Sequence, residues 1–236
     1  EKYTYYTSLA YTRNAGLLKN NNYDRYNITA NLTMTPNQKV RLDFGASMSY
    51  QDSKSPALST FDPFQYAYFA NPYEKPYNTD GSYCTDETYY TLGKYNYETT
   101  SRKKVPDSGF NIMREMNETS SRTKNINTTV RAGIDYGIIS KLRFVGLASY
   151  TYSTDRLKEI YGDGTKAALD NRMSVDYLSQ KEYASVLQRN IDNDSYMVRG
   201  HFAYDDQFGS DHAISLIAGA ELRGNKSNGL FSKRYG

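Results

Sequence analysis

The order of apolar and polar residues between Tyr26 and Tyr50 predicts two β-strands joined by a short turn. Apolar side chains occupy every second position from Tyr26 to Met34 and again from Val40 to Tyr50, with polar or small residues between them. Because successive side chains of a strand point to opposite faces, each run has one apolar face and one polar face. The apolar face is about ten residues long and ends in aromatics, which is typical of a strand that crosses a bilayer in a closed barrel.

The same alternation returns along the chain and predicts seven strands. We expect them near residues 3–13, 26–35, 40–50, 124–136, 141–152, 195–205 and 212–223. Short turns alternate with long polar segments near 51–122 and 153–194, and the second of these has room for a short helix near 166–189. Transmembrane barrels keep short turns in the periplasm and long loops outside, so both segments are predicted to be extracellular. The predicted fold class is therefore all-β, an antiparallel transmembrane β-barrel segment.

Tyrosine strengthens this interpretation, since the chain has 25 Tyr, 9 Phe and no Trp. Once strand directions are assigned, the tyrosines of the apolar faces fall at the two ends of the strands. Those at the outer ends are Tyr11, Tyr26, Tyr50, Tyr150, Tyr152 and Tyr196, and those at the inner ends are Tyr3, Tyr5, Tyr136 and Tyr204. Two aromatic girdles around an aliphatic belt match a bilayer. An open sheet would leave backbone groups unsatisfied in lipid, so we expect the remaining strands to come from a longer protein of which this is an internal piece, or else from other copies of the chain.

Composition removes several other functional classes. Lys and Arg number 29 and Asp and Glu 26, for a net charge of +3, and their scattered positions give no footprint for nucleic acid. Mean hydropathy is −0.78, and no apolar run approaches the roughly 18 residues of a membrane helix. The single Cys84 cannot form an internal disulfide, and no metal-binding or catalytic motif is present. We therefore predict no enzyme activity, cofactor or metal site.

Several segments also carry a family resemblance. In the first two strands these are Tyr5–Tyr11, Gly16–Leu17 and Arg25–Leu32. In the first long segment they are Asn71-Pro72-Tyr73, Pro76-Tyr77 and Asp80-Gly81, and Ala218–Glu221 corresponds to a later strand. Together they resemble the SusC/RagA-like TonB-dependent outer-membrane transporters of Bacteroidetes. The early hairpin with its loop is the specific part of the resemblance, and the remaining strands are those of a generic barrel.

The resemblance implies a barrel of 22 strands with a plugged lumen, of which this chain would form roughly the first third. It implies a plug and a TonB-contacting segment that lie outside this sequence, and a SusD/RagB-like surface lipoprotein as a lid over the outer mouth. The implied location is the bacterial outer membrane, in contact with lipid and lipopolysaccharide. The implied function is TonB-dependent active import of an oligosaccharide or a peptide as nutrient uptake.

Two groups of side chains are candidates for contact with that cargo. Aromatic rings stack on sugars and on peptide side chains, so the aromatic residues of the first long segment form the first group. The chief candidates in it are Tyr66, Tyr68, Phe69, Tyr73 and Tyr77, and the other members are Phe61, Phe64, Tyr83, Tyr89, Tyr90, Tyr95 and Tyr97. The second group comprises polar strand residues expected to face the lumen, of which the chief candidates are Arg131, Arg199 and His201. The other members are Asn31, Arg41, Asp43, Asp135, Glu221 and Arg223. In the structural alternative, the aromatics pack the loop or contact the lid, and the polar residues line a wet interior and pair with one another.

Two other functions remain open at this stage. An outer-membrane adhesin or assembly barrel would show the same strands but bind partners through its loops without transport. A soluble all-β binding module would share the alternation but would leave the membrane fraction without detergent. A plug domain upstream of Glu1 would distinguish transport from adhesion, because an adhesin has no need of one.

Overall fold

The computed structural model describes residues 2–57, 61–86, 110–168, 184–209 and 212–236, and most of them belong to one antiparallel sheet. Seven strands follow one another in chain order, and each pairs with the next. They are β1 (Tyr3–Ala15), β2 (Asn22–Asn37), β3 (Val40–Ser55), β4 (Thr119–Ile139), β5 (Leu142–Tyr161), β6 (Ser185–Phe208) and β7 (His212–Tyr235). Among the described residues between β3 and β4 there are two short helices, α1 (Pro63–Phe69) and α2 (Ile112–Glu118). The all-β antiparallel fold class predicted from the sequence is confirmed.

The strand register places the apolar positions of all seven strands on one face. Leu32 lies opposite Phe44 of β3 and also opposite Tyr5 of β1, so the odd positions of β1 join the even positions of β2. Phe44 in turn lies opposite Ala132, and the same alignment continues to β7. We call this side the apolar face and the opposite side the polar face. No described helix has the length and apolar character needed to cross a membrane.

Several strands are longer than predicted. β6 begins at Ser185 rather than near 195, and β7 continues to Tyr235 rather than ending near 223. β3 and β5 likewise extend to Ser55 and Tyr161, so the predicted long segments shorten to 56–118 and 162–184. The added residues are mostly polar, and the apolar ones among them, such as Leu157, Ile191 and Phe231, do not recur at every second position. These stretches therefore lack the alternation by which a strand is recognised, yet their backbones continue the ladder. Of the helix predicted near 166–189, residues 166–168 are helical, 169–183 lie outside the described residues and β6 occupies the rest.

A band of apolar residues crosses the apolar face of the sheet. In β3 it runs from Val40 to Tyr50, about 34 Å along the strand at 3.4 Å per residue. With strands inclined by about 45°, this corresponds to a height of about 24 Å, close to the apolar band of a transmembrane barrel. At one edge three rings contact in series, with centroids 4.9 Å apart for Tyr11 and Tyr26 and 6.1 Å apart for Tyr26 and Tyr50.

The two edges of the band differ in how they cross the strands. On the loop side, the first charges beyond the band on β1 to β5 lie in one row, and only on β6 does the first charge, Asp194, lie four residues nearer the short turns than that row, which meets β6 at Asn190. The row consists of Arg13, Asp24, Asp52, Lys124 and Arg156. At the opposite edge, the row through Tyr3 meets β6 at Gly200, and the apolar positions continue four residues farther, to Tyr204. The edge on the short-turn side therefore shifts by about 14 Å between β1 and β6, whereas the edge on the loop side is level from β1 to β5.

The buried hydrophobic residues lie mainly outside the band. One cluster comprises Phe61, Phe110 and Met116 with Tyr66 packed against it, and a second comprises Ala57, Tyr161 and Ala167. The apolar face itself is open: Leu9 is 76% exposed, Val198 53% and Leu222 63%. A continuous apolar surface of this extent requires an apolar environment or a partner to cover it.

Candidate functional site

The polar face carries two adjacent rows of small neutral polar residues. One row contains hydroxyl side chains in six consecutive strands and ends in an amide: Ser8, Thr29, Ser47, Thr129, Thr151, Ser195 and Asn225. The next row toward the loops is Ala10, Asn27, Ser49, Asn127, Ser153, Asn193 and Ser227. The two central hydroxyls, of Thr129 and Thr151, lie 3.0 Å apart. These rows present many neutral hydrogen-bonding groups to whatever occupies that face.

Arg131 spans β3 to reach β2. Its Nη2 donates a hydrogen bond of 3.0 Å to Asn31 Oδ1, and the residue between the two strands' side chains is Gly45. A Cβ added at Gly45 would lie 2.5 Å from Arg131 Nε and 2.9 Å from Asn31 Oδ1. Gly45 therefore makes room for the guanidinium to lie flat across the strand. The sequence marks Arg131 as a candidate but gives no sign of the part played by Gly45.

Charged residues concentrate on the polar face toward the short-turn end of the sheet. Arg41 Nε and Asp43 Oδ2 are 3.1 Å apart, and Thr33 donates a hydrogen bond of 2.6 Å to the same carboxylate. Glu221 pairs with Arg223 of its own strand. These pairs account for most of the acidic groups there, as the structural alternative expected.

Arg199 and His201 differ from these paired residues. Arg199 lies on β6 opposite Leu147 and Glu221, and His201 lies opposite Val145. Within the part of the chain that the structure describes, neither side chain makes a hydrogen bond or salt bridge. Arg131 and Arg199 are two strands and one row apart, about 12 Å. The structure thus places the three predicted polar candidates on one face, with both guanidiniums lacking a carboxylate partner.

The aromatic candidates belong to a separate region, which we call the loop cluster (residues 61–86, 110–118 and 162–168). Helix α1 begins after Asp62, whose carboxylate accepts hydrogen bonds from the backbone N–H groups of Phe64 and Gln65. Arg131 is 12 residues from the loop end of β4, a distance of about 40 Å along the strand. The two groups of candidates therefore form two regions rather than one site.

Tyr66 points into the loop cluster. It packs against the Phe110 cluster, with its ring centroid 5.9 Å from that of Phe110, and its hydroxyl donates a hydrogen bond of 2.5 Å to Asp86 Oδ2. Tyr77 stacks on Tyr83 at 5.7 Å. Both rings support the cluster, as the structural alternative allowed, although 40% of Tyr77 stays exposed.

Four of the aromatic candidates, all on or just after helix α1, point away from the loop cluster. Tyr68 is 82% exposed, Phe69 58% and Tyr73 88%, and Phe64 on the same helix is 62% exposed. The rings of Tyr68 and Phe69 meet edge to face, with centroids 4.9 Å apart. Tyr89, Tyr90, Tyr95 and Tyr97 lie outside the described residues. The exposed group is suited to stacking on a sugar or side chain.

Buried polar contacts fasten the loop cluster to the strand ends. Glu115 is fully buried and accepts a hydrogen bond of 2.6 Å from the backbone N–H of Lys166. The backbone N–H of Ala57 donates to the Thr119 hydroxyl at 3.0 Å. Burial raises the pKa of the Glu118 carboxyl, at the end of α2. Cys84 is a free thiol within this region, and no group of three potential metal ligands occurs among the described residues.

Comparison with solved structures identifies the architecture. The chain matches a structure of the RagAB peptide importer in the closed-closed state over 100% of its length, with a TM-score of 0.66 and 12% identity. It matches the RagAB peptide transporter at 0.65 and 14% identity, and the open-open state at 0.65 and 15%. Each match covers 24% of the other chain, so this sequence spans about a quarter of the proteins it resembles. No protein-family model and no curated protein matches it. The resemblance stated from the sequence is confirmed at the level of the fold.

Proposed function

We propose that this chain is a wall segment of an outer-membrane transporter of the SusC/RagA type, which imports a peptide or an oligosaccharide with energy delivered through TonB. The observation that carries the proposal is the continuous apolar band on one face of the sheet, because its length along the strands suits strands tilted in a bilayer. The match to RagAB structures across the whole chain supports the same assignment. The plug and the TonB-contacting segment would belong to the rest of the protein.

The two candidate regions fit two stages of import. Tyr68, Phe69 and Tyr73 are exposed on the loop cluster, where a first encounter with cargo would take place. Arg131 and Arg199 form no salt bridge with a described residue, and they would attract an anionic group of cargo or of a plug within the lumen. The proposed role is binding and passage without catalysis. Because the matched structures are RagAB assemblies, we propose a RagB-like surface lipoprotein as partner.

An uptake assay on cells that produce the full-length protein tests the proposal. Cells receive either a fluorescein-labelled peptide mixture or a labelled oligosaccharide, with and without a protonophore that removes the energy supply for TonB. Internal label that disappears with the protonophore is the expected result, and the cargo that enters identifies the substrate class. Label that stays on the surface under both conditions would instead support the adhesin, and recovery of the protein without detergent would refute a membrane location.

A further inference from the structure

Six charged residues form a compact block on the apolar face of β3, β4 and β5, just beyond the band on the loop side. Asp52, Lys124 and Arg156 lie opposite one another in one row, and Lys54, Arg122 and Lys158 lie opposite one another in the next. We call these six residues the basic block. All six project from the same side of the sheet as Tyr50 and Ile126, because they differ from those residues by even numbers of positions along each strand.

Two carboxylates pair with two of the five cations of the basic block, and a third nearby carboxylate, Asp24 opposite Asp52, pairs with Arg13 instead. Arg122 donates two hydrogen bonds to Asp52, of 2.8 and 2.5 Å, and Arg156 lies 2.7 Å from Asp192. Lys54, Lys124 and Lys158 are exposed, and none forms a salt bridge with a described residue. Three positive charges therefore remain uncompensated.

The arrangement of the second row is unfavourable in isolation. Lys54, Arg122 and Lys158 lie directly opposite one another on adjacent strands, and like charges at opposed positions destabilise a sheet. An anion bound across the row would remove that repulsion. The excess is local, because the corresponding pairs elsewhere are balanced: Arg13 lies opposite Asp24, and Asp194 lies opposite Lys226.

The position of the basic block defines the kind of anion. The row next to it contains Tyr50 and Ile126 at the edge of the apolar band, and the two charged rows lie about 7 and 14 Å farther along the strands. A ligand that contacts both regions needs hydrocarbon beside the band and negative charge one or two rows above it. A soluble anion has no hydrocarbon with which to contact the band. Basic clusters at this depth in membrane proteins bind anionic lipid headgroups.

We infer that the basic block binds the phosphate groups of a phosphorylated glycolipid of the outer leaflet, lipopolysaccharide, whose acyl chains lie along the apolar band. This inference rests on the outer-membrane location in the proposed function. Lys54, Lys124 and Lys158 supply the uncompensated charge. Arg122 and Arg156 form salt bridges with Asp52 and Asp192, and their role is to position the surroundings of the three lysines.

The test uses the full-length protein, purified in a neutral detergent and titrated with fluorescent lipid A carrying its phosphates. The variant K54Q/K124Q/K158Q removes the three unpaired charges and leaves both salt bridges in place. The matched control K2Q/K39Q/K75Q removes the same charge from exposed lysines elsewhere. Each lysine near a membrane surface contributes about fivefold in affinity, so we expect the first variant to bind on the order of 100-fold more weakly. The control should bind as the parent does, and K54R/K124R/K158R should retain binding.

Dephosphorylated lipid A and inorganic phosphate complete the test. The parent should bind the dephosphorylated lipid as weakly as the glutamine variant binds lipid A. Inorganic phosphate alone should not compete with lipid A for the site. Equal binding of lipid A by parent and glutamine variant would overturn the inference, as would equal loss in the control or saturation by inorganic phosphate. Energised uptake measured on the same proteins separates the two proposals, since lipid binding without uptake refutes only transport, and uptake without lysine-dependent lipid binding refutes only this site.

Discussion

Arginine introduced at two adjacent positions of β3 provides a sharp test of the two faces. Ala46 lies near the middle of the apolar band, opposite Ala30 and Val130, and no charged residue is available there to pair with a guanidinium. Ser47 lies on the polar face at the same depth, opposite Thr29 and Thr129. Both residues are small and exposed, so the substitutions Ala46→Arg and Ser47→Arg differ chiefly in the face they occupy.

The expected difference follows from the depth of the band. An arginine on the lipid face of a barrel costs about 2–4 kcal/mol at the midplane and about 0–1 kcal/mol near the interfaces. Ala46→Arg should therefore lower the folding equilibrium constant by roughly 30- to several-hundred-fold, while Ser47→Arg stays within about 0.5 kcal/mol of the parent. Leu42→Arg and Ile134→Arg, closer to the band edge, should fall between them, and Thr129→Arg should be tolerated.

Reversible unfolding of the full-length protein in lipid vesicles, followed by denaturant titration, measures these differences. The denaturant concentrations at the unfolding midpoint should be lower for variants on the apolar face than for variants on the polar face. Within the apolar face, they should be lowest for the substitution nearest the middle of the band. Equal destabilisation by Ala46→Arg and Ser47→Arg would refute the assignment of the two faces. A larger effect at Ser47 would mean that the faces are reversed.

Three further changes address individual contacts. Gly45→Ala should displace Arg131 and destabilise the sheet by about 1 kcal/mol, and in a double-mutant cycle the loss should be smaller in an Arg131→Ala background, where only the contact with Asn31 remains. Hydrogen bonds from Arg122 lower the pKa of Asp52, so this carboxylate contributes stability above about pH 4 that is lost as the pH falls toward its folded-state pKa. Asp52→Asn should accordingly cost about 1 kcal/mol at neutral pH and flatten the acid limb of an unfolding curve, whereas an unchanged limb would contradict the pairing. Tyr66→Phe should increase proteolysis of the loop cluster, while Tyr73→Ser should leave proteolysis unchanged and weaken cargo binding. The opposite pattern would exchange the structural and binding roles of these two rings.

The sequence predicted the part of each strand in which one face is apolar. Alternation locates β2 and β3 well, because every second residue from Tyr26 to Met34 and from Val40 to Tyr50 is apolar. Alternation gives no signal beyond the band, where residues 185–194 and 224–235 are mostly polar, have no regular apolar period and still form ladders. There the backbone pairing of a neighbouring strand determines the structure, and pairing with a distant segment leaves no local period.

Features that depend on register across strands could not be predicted from one strand at a time. The row of hydroxyl side chains and the basic block exist because β3 pairs with β4, although a long loop separates the two strands in the sequence. Asp52 and Lys124, for example, lie opposite each other. The hydrogen bond between Arg131 and Asn31 joins residues 100 positions apart. Helix α1 is different, because Asp62 followed by Pro63 is a recognisable start signal for a helix. A helix that starts at this signal has Tyr66 and Tyr68 on different sides.

The buried contacts of the loop cluster bear on how its exposed rings would bind. Glu115 accepts a hydrogen bond from the backbone of Lys166, and Thr119 accepts one from Ala57, so α2 is tied both to the segment after β5 and to the end of β3. Tyr68 and Tyr73 therefore stand on a support with its own packed core, separate from the apolar band. Binding by rings on such a support costs less conformational entropy than binding by a flexible loop. It follows that substitutions of these two exposed rings should alter affinity for cargo while the stability of the sheet, which depends on its ladders and on the environment of the band, stays the same.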